Sequence, residues 1–310
     1  MSDDTHAEIV AQREAVVEQE RAHEAEPSAG ARRAAQALAG VANTPGVAKP
    51  DPILVADDMA RHFGGVRAVE VEHLEVQRGT ITALIGPNGA GKSTFFNLIT
   101  GFDRPDSGRW AFEGRDITGR PPHRIARAGM VRTFQLTKAL TRLTSLENLM
   151  LGATGQRGEG MLASLLRPSW AAQEAQITSR AEELLDRFNL THMRDEFAGT
   201  MSGGQRKLLE MARALMVQPQ MILLDEPMAG VNPALTQSLL GHIEALRDEG
   251  MTIVLVEHDM DVIMSISDWV VCFAQGQVIA EGRPDDIRKD SAVIDAYLGT
   301  HRALHEEDPS

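Results

Sequence analysis

The chain has 310 residues, 43% of them hydrophobic and 24% charged, which excludes a disordered or fibrous protein and leaves room for one large domain or two small ones. Thirty-one basic residues against 44 acidic ones give a net charge of −13, an argument against general nucleic-acid binding, because affinity for phosphate backbones comes from clustered cations. A single cysteine, Cys272, excludes an internal disulfide and a multi-cysteine metal centre and fits a reducing compartment.

Residues 1–50 are rich in Ala, Glu and Gln, lack aromatics and end in Asn43-Thr44-Pro45-Gly46. They read as a mostly disordered acidic tail, with Glu8–Glu26 as a frayed helix and a docking helix as the alternative. Its acidic start is not a secretory signal, and no stretch approaches the roughly 18 apolar residues that span a bilayer, so a membrane role must come through a partner. The polar residues 301–310 read as a second short tail.

From Ile53 onward short apolar runs of strand length appear: Ile81–Ile85, Met221–Leu224 and Thr252–Val256. Continuous apolar runs suit strands buried on both faces of a parallel sheet. Helical segments Gly91–Thr100 and Pro233–Gly250 follow the first two, and this alternation predicts an α/β fold with ligands at the carboxyl ends of the strands.

Gly86-Pro87-Asn88-Gly89-Ala90-Gly91-Lys92-Ser93 sits between the first strand and its helix and satisfies G-x-x-x-x-G-K-[ST]. Glycines let backbone N–H groups fold around phosphates, and the helix N-terminus adds its dipole. Lys92 is expected to neutralise β- and γ-phosphates, with the Ser93 hydroxyl on Mg²⁺. The alternative, a Gly-rich turn that binds nothing, does not explain the match of spacing and context together.

A basic run comes next: Arg115, Arg120, Arg124, Arg127, Arg132, Lys138 and Arg142. It reads as a solvated face, with contact to acidic loops of a membrane partner or to lipid heads as the sharper alternative. Residues 136–202 show no strand pattern. Thr144-Ser145-Leu146-Glu147 reads as a capping box, and Ala171–Asn189 has helical apolar spacing, so the stretch reads as a helical insertion. Ser202-Gly203-Gly204-Gln205 then opens a helix over Arg206–Val217 and offers a second anion site.

Leu224 closes the second strand, and Asp225-Glu226-Pro227 follows it. Asp225 is placed to hold Mg²⁺ and Glu226 to polarise an attacking water. His258 ends the next strand, where it can bond a γ-phosphate and sense its presence.

With both anion loops in view, the chain resembles the nucleotide-binding subunit of an ABC transporter. The resemblance implies a P-loop NTPase, RecA-like α/β core with an N-terminal antiparallel β subdomain and an inserted helical signature subdomain, over residues 51–300. It implies ATP and Mg²⁺, and a dimer in which Ser202, Gly203, Gly204 and Gln205 of one copy close on the phosphate loop and Thr94 of the other. Gln135 matches the glutamine that touches Mg²⁺ or the nucleophilic water, and Phe63 the aromatic that stacks on adenine, a core phenylalanine being the alternative. Asn232 stands where many such subunits carry Asp, and its amide adds no charge. Met201 stands where Leu is usual.

The segments Arg61–Gly65, Thr100–Phe102, Val131–Gln135, Ala229–Pro233, Glu257–Met260, Ile266–Asp268 and Ala296–Gly299 are similar to the larger ATP-binding subunit of branched-chain amino acid importers. That branch implies a second ATP-binding subunit, two transmembrane permease subunits, an extracytoplasmic solute-binding protein, no nucleic acid, and a place on the cytoplasmic face of the cell membrane. Importers of urea and short amides and the lipopolysaccharide-export ATPase share much of this pattern, and a soluble ABC ATPase is a third class. That third class usually carries two cassettes or a long coiled-coil insertion.

Overall fold

The computed structural model describes residues 27–133, 140–154 and 168–297. The three apolar runs become β3 (Ile81–Ile85), β7 (Met221–Asp225) and β8 (Thr252–Val256), and every residue of these strands is buried. With β6 (Met130–Arg132), β9 (Trp269–Ala274) and β10 (Gln277–Gly282) they form a six-stranded sheet in the order β10-β9-β3-β8-β7-β6. All neighbours are parallel except β10 on β9. Leu84 and Asp225 both pair with Val256, so the register sets the ends of β3, β8 and β7 in one row.

A second, antiparallel sheet has the order β2-β1-β4-β5, built from β1 (Pro52–Phe63), β2 (Val66–Gln77), β4 (Ser107–Phe112) and β5 (Arg115–Asp116). Its inner residues Met59, Val71, Trp110 and Phe112 share a core with Phe95, Phe96, Leu98 and Ile99. The latter four belong to the helix after β3. The Trp110 indole N–H donates to the Ile99 carbonyl at 3.2 Å, which satisfies its one polar atom inside that core.

The opposite face of the six-stranded sheet is covered by helices. Thr144 caps Ser145–Met150 with the expected capping box, as its side chain and Glu147 satisfy each other's backbone N–H groups. The helix expected over 171–189 spans Pro168–Arg187, and Leu184, Leu185 and Phe188 join the core around β3, β7 and β8. Among the described residues no helix is long and apolar enough to cross a membrane.

The expectation of a tail over residues 1–50 is corrected for the described part of it, 27–50; residues 1–26, with the expected frayed helix, lie outside the described residues. Helix α1 (Ala29–Ala37) packs on α7 (Pro233–Asp248), and Leu38 is buried with the core. The Ser28 hydroxyl donates to Asp248 at 2.7 Å, Arg283 donates to the Leu38 and Ala39 carbonyls, and Val47 N–H donates to Glu281. Lys49 is buried, 3.3 Å from Glu281, with its ammonium over the Trp269 ring. The segment is polar and alanine-rich because it is held by hydrogen bonds and ion pairs to residues as much as 245 positions away, a pattern that leaves no local apolar signature.

Two buried groups of the core titrate unusually. Burial pushes the Cys272 thiol on β9 up to about 12. Burial also pushes the Asp268 carboxyl up to about 6, although it accepts from Ile81 N–H at 2.8 Å and from Arg247 at 3.3 Å. The folded chain therefore holds the Asp268 proton more tightly than the unfolded chain does. Its contribution to stability grows as pH falls from 7 towards 4 and is lost as pH rises through 6. Asp268→Asn is expected to remove about 1 kcal/mol of stability difference between pH 5 and pH 7, read by urea unfolding at both.

Candidate nucleotide site

Gly86 leaves β3 with φ +141°, and a Cβ there would meet the Phe273 carbonyl oxygen at 2.1 Å, so only glycine lets the loop turn this close to β9. Gly91, with φ +103°, approaches Ala68 in the same way and opens α2 (Lys92–Ile99) without a side-chain cap. Lys92 folds back into the loop, and its Nζ donates to the Gly86 carbonyl at 2.6 Å and the Pro87 carbonyl at 2.9 Å. Burial lowers its pKa, with Glu226 the leading opposing charge. Asn88, Gly89 and Ser93 are exposed or half-buried on the loop, Pro87 and Thr94 lie beside them, and Ala90 is buried beneath it.

The strand register brings Asp225 and Glu226 to the same edge. Asp225 is 4% exposed and accepts from Arg132 at 2.6 Å, while the other guanidinium arm donates to Asn97 at 2.6 Å. Arg132 is thus corrected from the expected solvated basic face to a cation against Asp225, the acid expected to hold metal. The reason is register: β6 pairs Arg132 with Leu223, beside Asp225. Arg115, Arg120, Arg124 and Arg142 do lie exposed, and Lys138 is outside the described residues. Arg132→Ala would leave Asp225 buried without that counter-charge. A loss of about 3–5 kcal/mol is expected in the nucleotide-free chain, measured by chemical denaturation.

Glu226 has φ +47°, a conformation uncommon outside glycine, and donates its N–H to Val256. Two groups that the sequence alone did not mark hold this turn. Glu257, 1% exposed, accepts from Met228 N–H at 2.8 Å, and burial raises its pKa. The Lys207 ammonium donates to the carbonyls of Pro227, at 2.8 Å, and of Ala229. The available signal for Glu257 was an acid placed directly after four apolar residues, Ile253–Val256, where burial on both sides of the chain is expected. His258 is exposed at the end of β8, its Nδ1 3.7 Å from Glu257.

Phe63 lies at the end of β1, 48% exposed, which excludes a core role. The Arg61 guanidinium stacks 4.5 Å from the ring centroid and is itself held by Asp103 and Asp106. Ser202 caps α6 (Gly203–Leu215) through a capping box with Gln205, so both side chains are engaged with each other's backbone. Gly203 has open space around it. A Cβ on Gly204 would instead strike Leu235 of α7, so the second glycine serves helix packing. Asn232 caps α7 by accepting from Leu235 N–H at 2.9 Å. Gln135 lies outside the described residues.

The cradle suits a triphosphate: glycine-lined backbone, an ammonium already bonding oxygens, and a helix N-terminus. The donor set suits Mg²⁺. Ser93 and Asp225 supply one hydroxyl and one carboxylate, and no group of three His, Cys, Asp or Glu able to hold a metal occurs among the described residues. Magnesium keeps several waters and takes the rest of its ligands from phosphate, so it needs no protein cage.

The ABC transporter family model matches residues 70–229, and the model of the branched-chain amino acid ATP-binding cassette transporter matches residues 277–303. The probable branched-chain amino acid transport ATP-binding protein LivG of Archaeoglobus fulgidus is 42% identical over 247 residues, covering 80% of this chain and 95% of that protein. The high-affinity branched-chain amino acid transport ATP-binding protein BraF of Pseudomonas aeruginosa is 42% identical over 250 residues, covering 80% and 98%. Among solved structures, the ADP conformation of MJ1267, an ATP-binding cassette of an ABC transporter, matches with a TM-score of 0.69 and 38% identity over 80% of this chain and 99% of that one.

Proposed function

The chain belongs to the ABC transporter family as an ATP-binding, ATP-hydrolysing subunit, and from that membership we propose that it energises uptake of branched-chain or other hydrophobic amino acids. The observation that supports an ATPase site most strongly is the shared row Leu84–Val256–Asp225, which sets the phosphate loop, the Asp225-Glu226 pair and His258 at adjacent strand ends. The proposed transport role draws on the relatives' names and on the match at 277–303.

In this reading Lys92 exchanges the Gly86 and Pro87 carbonyls for β- and γ-phosphate oxygens, and loop N–H groups take the remaining charge. Ser93, Asp225 and Gln135 would hold Mg²⁺, which would neutralise charge on the phosphates when bound. Glu226 orients the attacking water and accepts its proton, His258 bonds the γ-phosphate, and Phe63 stacks on adenine. Ser202, Gly203 and Gln205 of a second ATP-binding subunit close the pocket and exclude solvent. Closure would favour the ATP-loaded dimer, and hydrolysis would reopen it. The subunit works at the cytoplasmic face of the membrane, on two permease subunits supplied by a solute-binding protein.

Reconstituting the chain with its co-purifying membrane subunits and screening solutes for stimulated ATPase activity tests this. Stimulation by leucine, isoleucine or valine is the expected result. Stimulation by urea or by lipopolysaccharide alone, or co-purification with ribosomes in place of membrane subunits, would overturn the transport assignment.

A further inference from the structure

Tyr297 is the only tyrosine in the chain. It stands at the end of the helical residues 291–297, outside the 70–229 match and inside the 277–303 match. Asp290 caps this helix, its Oδ1 accepting from Ala292 N–H at 2.8 Å and Val293 N–H at 3.3 Å. Val293 is buried in the same core as Cys272 and Ile287, and Tyr297 packs against that core. This helical stretch is therefore anchored independently of Tyr297.

From this anchored position the Tyr297 hydroxyl accepts a hydrogen bond from the Gly86 N–H at 2.9 Å. Gly86 is buried, and it is the first residue of the phosphate loop. Its N–H is therefore withdrawn from bulk water, and a donor in that position needs a partner. The two polar ends of Gly86 are held differently. The carbonyl accepts from Lys92, a contact that Lys92 must give up to reach a triphosphate, whereas the N–H is held by a residue on a separately anchored helix.

We propose that Tyr297 is a positioning residue for the phosphate loop: its hydroxyl fixes the Gly86 peptide and thereby keeps the loop in its triphosphate-binding shape once Lys92 turns to the ligand. The C-terminal segment then sets the affinity for nucleotide without touching it. This rests on the nucleotide-site reading above. It predicts a particular division of effects, because a loop that must reorder on binding weakens binding in proportion to the fraction of time it is out of shape.

The test uses the full-length chain and ATP. Tyr297→Phe removes the hydroxyl and keeps the ring in the core. The KM for ATP is expected to rise about 3–10-fold, with kcat changing less than about twofold and the thermal midpoint falling by no more than a few degrees. Hydrogen exchange at the Gly86 amide should accelerate about tenfold or more while the β8 amides stay protected. A second measurement keeps the native residue: uniform 3-fluorotyrosine labels Tyr297 alone, and its fluorine resonance is expected to shift on adding ATP. An unchanged KM together with unchanged Gly86 exchange would overturn the positioning role, as would a fluorine signal indifferent to saturating ATP. Failure of the wild-type chain to bind ATP at all would instead remove the nucleotide-site reading, and the positioning role with it.

Discussion

Replacing Glu226 by Gln is expected to lower ATP turnover by about 10²–10⁴-fold, the usual contribution of a placed general base, while leaving ATP binding intact. The substitution changes one oxygen to an amide nitrogen and preserves shape. The backbone at 226 keeps its N–H bond to Val256, and the turn after it stays held by Glu257 through Met228 and by Lys207 through Pro227. What is lost is the capacity to take a proton from water. An ATP-bound dimer should then accumulate, visible as a shift in size-exclusion elution when Mg²⁺ and ATP are present. Turnover at the wild-type rate would remove Glu226 from this role.

Ser202→Arg should act at a different step. Ser202 is exposed, so an arginine there fits the isolated chain, and the lost capping box costs about 1 kcal/mol of helix stability. A second subunit would meet a long cation where the hydroxyl and the open Gly203 backbone were. ATP binding to the monomer is expected within a few-fold of wild type, whereas dimerisation is lost and turnover falls by about 10²–10³-fold, as when transition-state donors are removed. Ser202→Thr retains the cap and separates helix stability from closure. Normal dimerisation of the arginine variant would argue against a pocket shared between two copies.

Legibility tracked the distance over which each residue's partner lies. The central strands were readable because a strand buried on both faces must be apolar throughout, as β3, β7 and β8 are. The cap at Thr144 was readable because its partner Glu147 sits three residues away. The resemblance to the transporter ATPases marked Phe63 and Asn232, and the structure added that Asn232 and Ser202 already serve as local caps. Arg132 lay hidden in a run of surface arginines, since only the pairing of β6 with β7 sets it against Asp225. Residues 27–49 were illegible for a related reason: Ser28, Arg33 and Val47 meet Asp248 and Glu281 only after the rest of the chain has folded.

The sealed thiol of Cys272 has a practical corollary. A sulfhydryl at 0% exposure, with its ionisation pushed to about 12, stays inert to maleimides and mild oxidants while the protein is native. The molecule is thus a silent background for one engineered cysteine. A probe attached at position 88 or 203 would report from that point alone, and any sluggish labelling at 272 would clock the opening of the central sheet.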